Sequence, residues 1–191
     1  MKPKKTSELI QFTANPWWYT VRGLTMIGLG GLITALSIVS PEVYMLGKHA
    51  SWIPAIGLII LFVGIFRCLD GIASETAQGY LFNMQSGIMD VVVGFILLFS
   101  NDVINSVNLL IVCYLFTQGL YRNLLLSVGE IRNPLANRIT GVVSILLGSM
   151  IWIDWPTALW FISFSLGIDI SFRGWVLIVM ASSLKNEPIK D

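Results

Sequence analysis

Charge is scarce in this chain. Of 191 residues only 12% are Asp, Glu, Lys or Arg, about half of the roughly 25% usual in a soluble domain. A surface so poor in charge is not built to face water on all sides. Cysteine is scarce as well. Cys68 and Cys113 lie in apolar runs without CxxC spacing, which excludes a disulfide framework or thiolate metal site and leaves two small buried apolar side chains. One histidine, His49, cannot assemble a metal centre. Placed beside Lys48 after "SPEVYML", it reads as a solvated loop residue rather than a pH sensor. No Walker, HExxH or nucleophile-elbow pattern occurs, so neither an enzyme nor a cofactor is expected. "GLGG" (Gly28 to Gly31) has no strand before it and reads as a close-packing stretch of helix, not a phosphate cradle.

What the chain has is apolar length. Hydrophobic residues make up 55% of it, and stretches fit to span recur at Trp17–Val39, Ser51–Ala73, Tyr80–Phe99, Val103–Ser127, Leu135–Ile153 and Thr157–Ser183. A span needs roughly 20 residues for a ~30 Å hydrocarbon core. The expectation is an all-α polytopic membrane protein of six transmembrane helices forming a single membrane domain over residues 1–191. The basic N-terminal tail and "ALS" (Ala35 to Ser37) imitate a secretory signal, but the first apolar run is longer than a signal core and reads as the first helix. Trp17, Trp18, Trp52, Trp152, Trp155 and Trp175 fall near helix ends, as interfacial belts require.

Lys and Arg set the orientation, because cytoplasmic loops retain positive charge. With both termini inside, eleven of the twelve basic residues are cytoplasmic and Lys48 alone lies outside. The localisation expected is a bacterial inner membrane. The expected partners are anionic headgroups on its cytoplasmic side, each basic residue near the surface contributing about 1 kcal/mol. Nucleic acid is not expected, and no small-molecule ligand is indicated.

The glycines repeat. Pairs seven residues apart occur at Gly23 and Gly30, Gly64 and Gly71, Gly87 and Gly94, Gly141 and Gly148, and Gly167 and Gly174. "GLYR" (Gly119 to Arg122) echoes "GIFR" (Gly64 to Arg67). Seven residues is about two helical turns, so both glycines of a pair lie on one face and admit a neighbouring helix closely. The pattern predicts three repeated αα-hairpins, at about 15–74, 80–127 and 135–184, packing on one another through glycine faces. Three parallel units differ from the inverted repeats of many secondary transporters. Gly31 with Ala35 and Ser144 with Gly148 are expected on outer faces, as surfaces for a homo-oligomer.

With these residues in view, the chain resembles the HdeD-like family of bacterial acid-resistance membrane proteins. The resemblance is sharpest in "WWYTVRGLTMIGLGGLITALSIVSP" (Trp17 to Pro41) and in the closing "WPTALWFISFSLGIDISFRGW" (Trp155 to Trp175). In the middle hairpin "SND" (Ser100 to Asp102) replaces the proline that follows the odd helix. The resemblance implies an inner-membrane protein contributing to acid or envelope stress tolerance, with no catalytic residues.

Asp90 and Asp169 fall near the middles of helices 3 and 6, where a charge costs about 2.5–3.5 kcal/mol on insertion scales. Each therefore needs a partner or a proton. Arg173 follows Asp169 by one turn, and Arg67 precedes Asp70 by three residues, so both pairs are placed to satisfy themselves. Asp90 has no basic neighbour on its own helix and must find one across an interface. The candidate site is thus an intramembrane cluster of Asp70, Asp90, Asp169, Arg67, Arg122 and Arg173, with Arg22 and Arg138 in the same inner half. Three rival readings are a small proton or solute transporter or channel lined by Asp90 and Asp169, a structural subunit of a larger membrane complex, and the binding of an anionic lipid or solute in a basic inner pocket.

Overall fold

The computed structural model describes residues 16–41, 44–45, 49–50, 52–74, 77–99, 104–128, 134–155 and 157–185. They form six helices: α1 (Pro16–Val39), α2 (Ile53–Ile72), α3 (Ala77–Phe99), α4 (Ile104–Val128), α5 (Pro134–Ile153) and α6 (Leu159–Lys185). Between α1 and α2 lies a minimal hairpin, β1 (Tyr44–Met45) antiparallel to β2 (His49–Ala50), with Tyr44 opposite Ala50 and Met45 opposite His49. Proline opens α1 and α5 and stands in the first turn of α2, where its preset φ suits a helix and its missing N–H leaves no bond unmade. The indole Nε1 of Trp52 donates to Ser40 O at 2.9 Å, tying the end of α1 to the start of α2. The expectation for Lys48 lies outside the described residues.

Five of the helices, α1, α2, α3, α5 and α6, are long and apolar enough to cross a membrane, and the chain is a multi-pass membrane protein. α4, the sixth expected span, is as long as the others at 25 residues and carries a more polar stripe. Asn108, Gln118 and Arg122 interrupt its apolar character, and all three are buried in the bundle rather than turned outward. The outer surface is apolar, with Leu24, Leu81, Phe95 and Leu146 all exposed, as a lipid-facing wall requires.

The tightest packing is between the expected hairpins, not within them. α1 lies on α6, α2 on α3 and α4 on α5, and glycines make each approach. A Cβ on Gly23 would stand 2.7 Å from Gly174 O, one on Gly30 2.6 Å from Gly167 O, one on Gly64 2.8 Å from Gly87 O, and one on Gly119 2.6 Å from Gly141 O. Backbones this close gain dispersion contact along their whole crossing, the principal attraction between helices in lipid. The second glycine of α2 at the crossing is Gly57, which meets Gly94 O, whereas Gly71 meets Met84. Gly57, Gly64 and Gly71 thus all face α3, and Gly64 occupies the level that Gly119 and Gly174 occupy on their helices.

Two further expectations fail on burial. Ser144 and Gly148 face inward rather than outward, Gly148 against Leu115 and Phe116, because the face they share on α5 is the one that α4 covers. Gly31 and Ala35 are exposed on α1. Cys113 is exposed and Cys68 half-buried, not the two buried thiols expected; Cys68 Sγ fills the space beside Gly87.

The interior divides along its length. One half is closed by Ile33, Leu97 and Ile151 from α1, α3 and α5, with Ile56, Ile60, Ile111, Leu115 and Ile162 from the even helices. The other half is polar, and it holds the site.

Candidate functional site

Asp90 is the hub. It projects from α3 between two glycines, Gly87 and Gly94, and is fully buried. Its Oδ1 accepts from the Tyr114 hydroxyl at 2.5 Å, Arg173 Nη1 at 2.8 Å and Gln118 Nε2 at 3.2 Å. Its Oδ2 accepts from Arg67 Nη1 at 3.2 Å. One carboxylate thus binds α3 to α2, α4 and α6. Such charge-assisted bonds are about twice as strong as neutral ones and are what makes a buried ion tolerable.

Arg173 shares its charge between two carboxylates, through Nη1 to Asp90 and through Nη2 to Asp169 Oδ2 at 2.5 Å. It also lies over the Tyr114 ring, 5.3 Å from the centroid, a favourable place for a cation. Asp169 Oδ1 accepts from Ser144 Oγ at 2.5 Å, which brings in α5. Arg22 of α1 pairs with Asp70 of α2 at 2.6 Å and lies over Phe66, 5.4 Å from the ring centroid. All six helices therefore contribute to the polar interior, α1 through the separate Arg22–Asp70 pair. Arg122 is buried and within coulombic reach of Arg67, Arg173, Asp90 and Asp169, yet its Nε and Nη2 make no hydrogen bond. Among the described residues, apart from the Arg22–Asp70 pair, three arginines face two carboxylates. Among the described residues, no three His, Cys, Asp or Glu side chains converge as metal ligands do.

Replacing Tyr114 by Phe keeps the ring under Arg173 and removes only the 2.5 Å donor to Asp90. Thermal unfolding of the purified protein in detergent is expected to show a loss of about 1.5 kcal/mol.

No family model, characterised protein or solved structure matches this chain. The site must be read from its own geometry.

Of the residues expected in the cluster, the structure brings Arg67, Asp90, Asp169 and Arg173 into direct contact and sets Arg122 beside them. Asp70 does not pair with Arg67 on its own helix. It turns to Arg22, while Arg67 reaches Asp90, because the glycine crossing of α2 on α3 lays Arg67 alongside the middle of α3. Arg138 is exposed and stands apart. Sequence reasoning missed Tyr114, Gln118 and Ser144. The first two were legible as one stripe with Arg122, each one turn after the last along α4. Ser144 stands three residues after Gly141, as Asp90 stands three after Gly87, and that shared offset pointed to a shared inward position.

Proposed function

We propose that this chain is a non-enzymatic inner-membrane protein of the HdeD-like type that supports acid or envelope stress tolerance, with Asp90 as its proton-responsive group. The observation that carries the reading is the placement of Asp90, fully buried and bonded to three other helices, so that its charge is tied to the packing of α2, α4 and α6 on α3. A proton taken up there would leave Arg67, Arg122 and Arg173 facing Asp169 alone. Two unit charges roughly 8 Å apart repel by about 2 kcal/mol at an effective dielectric of about 20. Protonation would therefore loosen α2, α4 and α6 from α3, a conformational response to acid with no need of transported cargo.

The same reading takes α4 as a sixth span, its polar stripe shielded by the bundle, and takes both termini as cytoplasmic on the distribution of Lys and Arg. It takes the chain as three αα units closed into a ring, the support being the three glycine crossings at matching levels. A transporter is the weaker alternative, since Ile33, Leu97, Ile151 and their neighbours fill the other half of the interior with apolar side chains. The test is survival of acid challenge by a strain lacking the gene and complemented with wild type, Asp90→Asn or Asp169→Asn at matched membrane abundance. Rescue by wild type and not by Asp90→Asn is expected; no rescue by wild type would remove the acid-tolerance reading.

A further inference from the structure

Arg122 is 2% exposed, forms no salt bridge among the described residues, and holds two of its N–H groups idle. Arginine does not escape burial by losing its proton, so a stranded guanidinium inside a bundle is unfavourable unless something anionic joins it. The idle atoms are Nε and Nη2, which share one edge of the planar group. Their parallel N–H bonds match two oxygens of a single phosphate or carboxylate, a fit that a halide does not use.

A second unpartnered group belongs to the same layer. Contacts between α3 and α4 run from Asp90 to Tyr114, from the Ser86 carbonyl to Gln118, and from the Leu81 carbonyl to Tyr121. The helices are antiparallel, and Ser86 lies level with the turn from Gln118 to Arg122. The Ser86 hydroxyl is buried without a partner, and so is Gln118 Oε1. One is a donor for a further ligand oxygen, and the other accepts a ligand hydroxyl. Dihydrogen phosphate offers such a hydroxyl, and so does the glycerol headgroup of an anionic phospholipid. α4 ends at Val128, six residues and about 9 Å beyond Arg122, so the site lies within reach of the headgroup layer, where phosphate is the abundant oxyanion.

We infer that Arg122, with Ser86 and Gln118, forms a binding site for a phosphate group that pairs with the unbonded edge of the Arg122 guanidinium. The inference rests on the empty edge of Arg122 and stands whether or not the protein serves acid tolerance.

The test uses the full chain purified in a phosphate-free, uncharged detergent. Inorganic phosphate is titrated against its unfolding midpoint, with chloride at equal ionic strength as reference, and retention of phosphatidylglycerol over phosphatidylcholine is measured by native mass spectrometry. Wild type is expected to be stabilised by phosphate, to retain phosphatidylglycerol, or both. A midpoint shift without lipid retention identifies free phosphate as the source, and retention without a shift identifies the headgroup. Arg122→Met should lose both responses and, without added anion, be at least as stable as wild type, since the stranded charge is gone. Arg122→Lys keeps the charge but not the paired edge, and its apparent affinity should fall about tenfold. Arg138→Gln, on the exposed face of α5, should behave as wild type. Wild type indifferent to both probes, or Arg122→Lys binding as tightly as wild type, would overturn the site.

Discussion

Asp90→Asn is expected to destabilise the purified protein by about 3–5 kcal/mol, more than any other isosteric change in the interior, read as the unfolding midpoint in detergent. The substitution preserves shape and removes one charge. What it leaves is Arg173 with half of its neutralisation and Arg67 with none, since Asp90 is the one carboxylate that Arg67 contacts among the described residues. An Asn amide also points two donors at groups that are themselves donors, Arg67, Arg173, Gln118 and Tyr114, so at least one N–H is left unanswered. Asp70→Asn should cost less. It strands a single arginine, Arg22, whereas Asp90→Asn removes a partner from both Arg67 and Arg173. A loss at Asp90 no greater than that at Asp70 would remove Asp90 from the centre of the network.

Gly64→Ala is expected to destabilise by about 3 kcal/mol, while Gly28→Ala, in the same kind of helix, should be neutral or stabilise by up to about 1 kcal/mol. The two glycines differ in what a methyl group would meet. At Gly64 it would stand 2.6 Å from Val91 N and 2.8 Å from Gly87 O, both backbone atoms of α3, and 2.9 Å from the Asp90 Cβ. Backbone cannot move aside as a side chain can, so α2 and α3 must separate, and separation pulls Arg67 away from Asp90. At Gly28 nothing lies within 4 Å, and Ala simply improves helix propensity. The comparison is made on the unfolding midpoints of the two variants. Equal effects would mean that the glycines act through backbone flexibility and not through close packing.

The helices were legible because apolar length has few other uses: the expected run Leu135–Ile153 became Pro134–Ile153, and Trp17–Val39 became Pro16–Val39. Which helix would lie against which was not legible. A glycine face announces that a neighbour comes close, but Gly23 and Gly174 stand at opposite ends of the chain, and nothing in seven-residue spacing selects one from the other. The charges divide in the same way. Asp169 with Arg173 was visible because one helical turn joins them. Arg67 with Asp70 had spacing as good and did not pair, because helix packing offered each a partner across an interface. Local geometry proposes ion pairs, and tertiary packing decides among them. Tyr114 and Gln118 were passed over because neither is charged, although a polar stripe in an apolar helix has to be buried against something polar.

On the proposed reading, acid acts on this bundle by protonating Asp90, and because Arg67, Arg173, Gln118 and Tyr114 all hold its carboxylate, proton uptake and the parting of α2, α4 and α6 from α3 are one event. Infrared difference spectroscopy of the protein in bilayers, acid minus neutral, with Asp90→Asn to assign the bands, tests it most directly. The account predicts loss of a carboxylate band and gain of a protonated carboxyl band, both absent from the variant, while the helical amide band is unchanged. An Asp90 carboxylate that persists until the helices themselves unfold would contradict it.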